Sequence, residues 1–185
     1  MMTNQSWYGV VGPENPITQG DIIFNCPLLT WVQDDKGNLD FEVIEIDAIV
    51  MTQACDLAQN HVASVMMGPC VRLSEYKSDW EIFQTKNGEN PTSKSWKKQC
   101  ENIREGYAWN LAMINKDDAI SGMDENRIVD FRELFTVPRV VLDEQIKSPL
   151  FSRPRLKTPY REHLSQALAR FFMRVGLPTR ASKSW

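Results

Sequence analysis

The sequence predicts a mainly β fold of the α+β class: a small SH3-like β-barrel with a polar, partly helical insertion and a C-terminal helix. Three observations predict it. Short apolar runs separated by polar turn clusters fill residues 17–74 and 107–145, as is typical of strands. Residues 75–106 are polar, and residues 158–176 repeat apolar side chains at helical spacing. We expect a single domain over residues 1–185, with the barrel core in the first two ranges.

The composition is that of a folded protein in a reducing compartment. Of its 185 residues, 42% are hydrophobic and 24% are charged, a balance that excludes a disordered chain. No apolar run approaches the roughly 20 residues of a membrane span, and the N-terminus lacks the features of a signal peptide. We therefore expect a cytoplasmic protein, without a membrane partner, whose four cysteines are thiols.

The first 46 residues predict an opening strand followed by a hairpin. Turn residues at 18–21 lead into a short strand at 22–24, which Pro27 limits to an edge or an end. Two further strands, at 28–32 and 41–46, flank a cluster of polar turn residues. This arrangement is typical of a β-hairpin.

The centre of the sheet is predicted at residues 48–52 and 62–67. Both runs are dense in apolar side chains, as in strands buried on both faces, although such short runs are also compatible with a buried helix. Between them lies a polar segment, interpreted as a turn, that contains Cys55, Asp56 and His61. This turn is the first candidate site.

The polar insertion contains one predicted helix. Apolar side chains recur at i, i+4 and i+7 from Trp96 to Ile103, which places one apolar stripe on a short helix. Ser93 or Ser95 can cap its beginning, and Gly106 is expected to end it.

The rest of the chain predicts three strands and the final helix. Strand-type runs occur at residues 107–114, 127–131 and 135–142. The helix over 158–176 is the firmest prediction, because Thr158 can cap it and seven apolar side chains follow at helical spacing. One of its faces must be buried against the sheet.

Positive charge is concentrated at the C-terminal end. Residues 153–185 hold eight Lys and Arg against one acid, a net charge of +7, whereas residues 1–152 hold 13 basic and 23 acidic residues, a net charge of −10. This asymmetry is typical of a surface for nucleic-acid phosphates or an acidic protein, but the basic segment can also pack on the acidic body, the interpretation we favour. Four candidate binding residues lie in this segment: Arg153, Arg155, Tyr160 and Arg161.

Cys55 and its neighbours are candidates for a thiol site. In a hydrolase, Cys55 would be the nucleophile, one of the two histidines, such as His61, the base, and an aspartate such as Asp56 the orienting group. Alternatively, Cys55 is a small buried hydrophobe and Asp56 caps the turn, which we favour because no paired signature accompanies the cysteine. Gln53, Cys55 and Asp56 are also candidate binding residues.

Motifs for other site chemistries are missing from the sequence. Neither G-x-G-x-x-G nor G-x-x-x-x-G-K-[ST] occurs, and H-E-x-x-H is absent, so nucleotide-loop and zincin chemistry have no sequence support. Only two histidines and no C-x-x-C pair are present, so no metal site is predicted. We expect no cofactor.

Four stretches carry a resemblance: GDII at 20–23, VMTQACDLA at 50–58, VDFRELFTVPRVVLDE at 129–144, and RPRLKTPYREHLSQALARFFMRVGLP at 153–178. Together they resemble a family of small bacterial and phage-related cytosolic proteins with a strand that ends in a Cys-Asp turn and a PYREHL…RVGLP helix. The resemblance spans most of the chain. It implies a fold and a defence, mobile-element or stress-response setting, but no reaction.

The opening GDII and the strand-rich core are also similar, more distantly, to the SH3-like barrels of MazF/PemK-type toxin endoribonucleases. That similarity implies a basic residue in the loop before the strand at 49–52. This chain instead has Glu45 and Asp47 there, and no Lys or Arg between Lys36 and Arg72. Carboxylates without a cation are poorly suited to stabilise the negative charge that develops in RNA cleavage.

The sequence therefore predicts a binding or regulatory protein rather than an enzyme. A protein partner is the first choice, an inference from fold and setting rather than from a site. The alternatives are nucleic-acid binding through the basic C-terminal segment, MazF-like endoribonuclease activity, and a hydrolase that uses Cys55.

Overall fold

The computed structural model describes residues 6–149 and 151–173, which form eight strands and five helices. The strands are β1 (Tyr8–Val11), β2 (Ile22–Gln33), β3 (Leu39–Val50), β4 (Ser64–Arg72), β5 (Leu111–Ile114), β6 (Arg127–Asp130), β7 (Phe135–Pro138) and β8 (Arg153–Leu156). The helices are α1 (Ala54–Ala58), α2 (Leu73–Lys86), α3 (Ser93–Arg104), α4 (Arg139–Ile146) and α5 (Tyr160–Met173).

The main sheet has six strands, and each of its pairings is antiparallel. Its order is β2-β3-β4-β6-β5, and β7 pairs with the first part of β4. Strands β1 and β8 form a second, two-stranded sheet, joined to the start of β2 by a bridge between Asp21 and Arg155. The predicted α+β class with a mainly antiparallel sheet is confirmed. The described strands do not close into a barrel, so the SH3-like topology stays a prediction.

The central strands are buried on both faces, as predicted. Ile22, Ile49 and Met51 belong to the apolar core on which α5 packs, whereas Ile23 and Val50 belong to the core on which α4 packs. Because successive side chains of a strand point to opposite faces, adjacent buried residues require a covered sheet on both sides. Helix α5 therefore packs on one face of the central strands, and helix α4 packs on the other.

The predicted hairpin is confirmed and is longer than expected. Strands β2 and β3 pair continuously except for a register shift between Ile23 and Cys26, where Asn25 has a φ of 54°. Beyond this bulge the strand continues to Gln33, so of the two predicted placements of Pro27, at an edge or at a strand end, the edge is confirmed. Pro27 is tolerated because β2 is the outermost strand of the main sheet, where a missing N–H breaks no ladder.

Three predicted elements are corrected. The turn that contains Cys55 is a short helix, α1. Helix α2 covers residues 73–86, where no helix was predicted and the polar insertion was expected to begin at residue 75. The strand predicted at 135–142 is β7 followed by α4. Its valines favoured a strand, but Leu142 and Ile146 stand four residues apart and are both buried, which is the spacing of a helix face.

The two predicted helices are confirmed with changed ends. Thr92, not Ser93 or Ser95, caps α3: its Oγ1 accepts the Ser95 backbone N–H at 3.1 Å, and Gly106 follows the helix with a φ of 76°. The Thr158 hydroxyl lies 3.1 Å from a carboxylate oxygen of Glu162, to which it donates. The predicted end of the last helix at residue 176 lies outside the described residues.

Candidate functional site

Cys55 lies on α1, immediately after the central strand β3, and its side chain is exposed. The interpretation of Cys55 as a buried hydrophobe is therefore wrong. Its sulfur is 3.8 Å from Oδ1 of Asp56, also on α1, and Gln53 is exposed just before the helix. Leu57 is the residue of this helix that is buried, so it anchors α1 to the core.

The described contacts do not assemble a Cys–His pair. His61 is exposed in the loop before β4 and lines a wide cleft together with Glu14, Arg139 and Asp143, and Cys55 is not among the residues that line this cleft. The second histidine of the chain lies on α5. A nucleophilic cysteine needs a base within hydrogen-bond reach, whereas the polar contact of Cys55 is with a carboxylate.

Two other cysteines are in the core. Cys26 and Cys70 are buried, and burial raises the pKa of each thiol to about 12. A thiol that stays protonated at neutral pH is a poor nucleophile. These two cysteines therefore contribute packing rather than chemistry.

Arg153 and Arg155, two predicted binding residues, hold a buried carboxylate. Nε of Arg153 donates to Oδ2 of Asp21 at 2.7 Å, and Nη2 of Arg155 donates to the same oxygen at 2.9 Å. The remaining nitrogens of Arg153 donate to backbone carbonyls of residues 12, 15 and 16. Asp21 and Arg153 are both fully buried, so this cluster joins β8 and the N-terminal loop to β2 rather than facing solvent.

Tyr160 and Arg161 lie beside this cluster at the start of α5. The Tyr160 ring stacks on Trp7 with a centroid distance of 4.3 Å and an interplanar angle of 9°. Arg161 is paired with Glu162 at 2.7 Å, and its aliphatic stem approaches Gly20. Three of the four stretches that carry the family resemblance thus meet at Gly20, whose N–H donates to the Val50 carbonyl at 2.9 Å.

A second buried ion pair was missed at the sequence level. Nη1 of Arg127 donates to Oδ2 of Asp47 at 2.9 Å and to the Cys70 carbonyl at 2.7 Å, and the guanidinium lies over the Phe24 ring at 5.3 Å. The Arg127 side chain is only 1% exposed. In the sequence, the one indication of this pair is a charged residue, Arg127, at the beginning of an apolar strand. Asp47, one of the two acids named in the comparison with MazF/PemK-type toxins, is therefore the ion-pair partner of Arg127.

The outer half of the β2–β3 hairpin, residues 27–46, is the most unusual surface of the protein. None of these residues is buried. We call this segment the arm. One face of the arm presents five exposed apolar side chains: Leu29, Trp31, Leu39, Phe41 and Val43. The register places Trp31 opposite Phe41 and Leu29 opposite Val43, so these side chains form one continuous stripe.

The aromatic pair is the centre of the stripe. Trp31 is 69% exposed and Phe41 is 60% exposed, and their rings meet edge to face at 6.3 Å. The sequence predicted the two strands of this hairpin without assigning a role to its apolar face. The alternation of apolar and polar residues was the correct signal for a two-faced hairpin, but it does not say what covers the apolar face.

The arm is also acidic. It carries five acids and a single Lys, a net charge of −4: Asp34, Asp35, Lys36, Asp40, Glu42 and Glu45. Asp34 shapes the turn, because its Oδ1 accepts the backbone N–H groups of Lys36 and Asn38 at 2.9 and 2.8 Å. The hydrogen bonds from Asn38 hold the pKa of Asp34 below its ordinary value. The arm thus combines an apolar stripe with acids at both of its ends, in the turn and at Glu45, and with Asp40 and Glu42 on the opposite face.

Comparison with known proteins adds no relative: no protein-family model matches the chain, and no curated protein is similar to it. Among the described residues, no three His, Cys, Asp or Glu side chains group in a way that could hold a metal ion. None of the helices in residues 6–149 and 151–173 combines the length and the apolar character that a membrane crossing requires.

Proposed function

We propose that this protein is a non-enzymatic recognition module of the cytoplasm that binds a protein partner through the arm. The observation that carries the proposal is the stripe of five exposed apolar side chains on a segment with no buried residue. Contiguous exposed apolar patches on soluble proteins commonly mark interaction sites. Tryptophan and other aromatic residues supply much of the binding energy in protein interfaces, so Trp31 and Phe41 are the expected anchors.

The charge of the arm defines the partner. Acids at the two ends of the apolar stripe, in the turn and at Glu45, complement a protein surface with an apolar centre flanked by Lys or Arg. The arm can present its stripe without rearrangement, because the β2–β3 ladder and the Asp34 turn hold it in place. We also propose that the core is an SH3-like barrel and that the setting is bacterial defence, a mobile element or a stress response, as the family resemblance implies.

The alternative functions have less support. For nucleic-acid binding or MazF-like RNA cleavage, the acids of the arm would repel phosphates, and the donors of Arg153 are engaged inside the protein. For a hydrolase, the polar contact of Cys55 is with Asp56 rather than with a histidine.

The test is site-specific photocrosslinking in the native host. A photoreactive amino acid replaces Trp31 in one variant and Phe83 in another, since Phe83 is a comparably exposed aromatic on α2, at 63%. We expect a discrete protein adduct from position 31 and none from position 83. The crosslinked protein is then purified, and its affinity is measured for the wild type, Trp31→Ser with Phe41→Ser, and Phe83→Ser.

The proposal requires that the double variant lose binding while Phe83→Ser binds as the wild type does. Binding should also survive added salt to a large extent, because an apolar interface releases few counterions. Equal binding by the double variant, or an adduct that consists of nucleic acid, would overturn it.

A further inference from the structure

Away from the arm, the protein has a cavity of about 270 Å³ between the end of α3, strand β5 and helix α5. Leu164 and Ala167 of α5 form part of its apolar wall, and Leu156 of β8 contributes to the same wall. The volume lies just below the range of about 300–1,000 Å³ that is usual for drug-sized ligands. A molecule with one ring and a short substituent is therefore the size that fits.

The cavity offers aromatic surface on one side. Trp7 and Tyr160, the stacked pair described above, both line it, and the exposed His163 ring stands edge-on to Tyr160 at 6.4 Å. Trp109 also lines it and remains 54% exposed. Flat aromatic side chains bind planar apolar groups well, since ring pairs gain energy beyond the area that they bury.

The lining of the cavity includes Arg170, a guanidinium that forms no ion pair with any described residue. Arg104 and Glu105 also line the cavity, and they are paired with each other at 2.9 Å. A Cβ added at Gly106 would stand 3.7 Å from Nη2 of Arg170, so the guanidinium lies close to the backbone at the end of α3. The negative end of the α3 dipole favours a cation there.

We propose that this cavity binds a small aromatic anion, with the ring against the aromatic and apolar wall and the acidic group on Arg170. Planar guanidinium groups bind carboxylates and phosphates through paired N–H donors. The site is separate from the arm, and no part of the argument depends on a protein partner.

The experiment uses three probes with the same ring and different charge: phenylacetate, 2-phenylethanol and phenethylamine. Binding to the full chain is measured by calorimetry and by the change in tryptophan fluorescence. We expect phenylacetate to bind best and phenethylamine worst. Arg170→Gln should weaken phenylacetate about tenfold or more, as for a lost hydrogen bond to a charged group, and leave 2-phenylethanol unchanged.

A second pair of variants tests the cavity itself. Ala167→Leu fills the pocket and should abolish binding of every probe, while Ala169→Leu, exposed on the same helix, should have no effect. Lys97→Gln, which removes an exposed cation on α3, serves as the charge control. Phenylacetate has about ten non-hydrogen atoms, and the weakest dissociation constant expected for a ligand of that size is about 10 mM. The proposal therefore fails if phenylacetate shows no saturable binding up to that concentration. It also fails if Ala167→Leu, folded by circular dichroism, binds as the wild type does.

Discussion

Strand β2 has two ends with opposite properties. At its inner end, just before the strand, the charged side chain of Asp21 is fully buried and paired with two arginines. At its outer end, on the arm, Trp31 and Leu29 are exposed. The usual distribution of polar and apolar residues is thus inverted at both ends. At the inner end buried charges join distant parts of the fold, whereas at the outer end apolar side chains are exposed on the surface.

The inner end is the region most sensitive to substitution. Asp21→Asn removes the charge that compensates buried Arg153, and breaking a buried ion pair by removing one partner costs about 3–5 kcal/mol. We expect a correspondingly lower free energy of unfolding in urea denaturation followed by tryptophan fluorescence. As a control, Glu144→Gln removes an exposed pair with Lys147 and should leave the unfolding midpoint unchanged. A midpoint for Asp21→Asn equal to that of the control would contradict this role.

The ion pair between Arg127 and Asp47 allows the contribution of each partner to stability to be compared. Arg127→Met removes the side-chain donor to the carbonyls of Gly122 and Cys70 and leaves Asp47 without its ion-pair partner, and the expected loss is about 2–4 kcal/mol. Asp47→Asn should cost less, because the Asp47 side chain is partly exposed and the amide oxygen can still accept from Arg127. The same denaturation measurement applies. An equal loss in both variants would mean that the charge of Asp47, rather than the donors of Arg127, dominates.

The buried thiols predict that stability falls in alkaline solution. In the folded protein the pKa values of Cys26 and Cys70 are about 12, compared with an ordinary value of 9.0. As pH rises, the unfolded chain therefore loses these protons before the folded protein does. The stability that the two protonated thiols contribute is complete below pH 9 and is lost as pH rises toward 12. The slope is up to about 1.4 kcal/mol per pH unit for each group.

Burial also raises the pKa of Tyr8, which adds to this decline. Cys26→Ala should make the free energy of unfolding less dependent on pH between 9 and 11, whatever it costs in packing at pH 7. Denaturation series at several pH values measure this slope. A slope identical to that of the wild type would exclude a buried, protonated Cys26.

The arm should show the smallest effect on stability. Trp31→Ser is expected to change the free energy of unfolding by no more than about 1 kcal/mol, the worth of one exposed cross-strand pair. Ile23→Ala, in the same strand at its buried inner end, should cost about 2–5 kcal/mol. Thermal unfolding of both variants gives the comparison. If Trp31→Ser destabilised the protein as much as Ile23→Ala, the arm would be part of the core and not a binding surface.

The fold was predictable where local patterns and burial agree. The hairpin, the central strands and α3 have clear periodicity and turn residues, and each is confirmed. Helix α2 was missed because Trp80 is the one residue that it buries and its exposed face includes Ile82 and Phe83, so no apolar stripe stands out. Helix α4 was mistaken for a strand because two of its three exposed residues, Val140 and Val141, are valines.

The candidate site was less predictable, for a physical reason. A sequence pattern shows that a strand has an apolar face, but only the tertiary structure shows whether another element covers it. Arg153 was a candidate binding residue, but it is fully buried and paired with Asp21, as expected from the favoured interpretation in which the basic segment packs on the acidic body. The exposure of Cys55 was likewise decided by the short helix α1, which the turn residues did not predict.

The pairing of β1 with the distant strand β8 has a consequence for synthesis. Tyr8 pairs with Leu156, and Asp21 bonds to Arg153, 132 positions later. A ribosome that adds about 5–20 residues per second makes Arg153 about 7–26 s after Asp21. During that interval the nascent chain carries an unpaired carboxylate and the first strands of an incomplete sheet. Completion of the core therefore waits until β8 has been synthesised, and a chaperone would have its longest opportunity to act on β2 and β3.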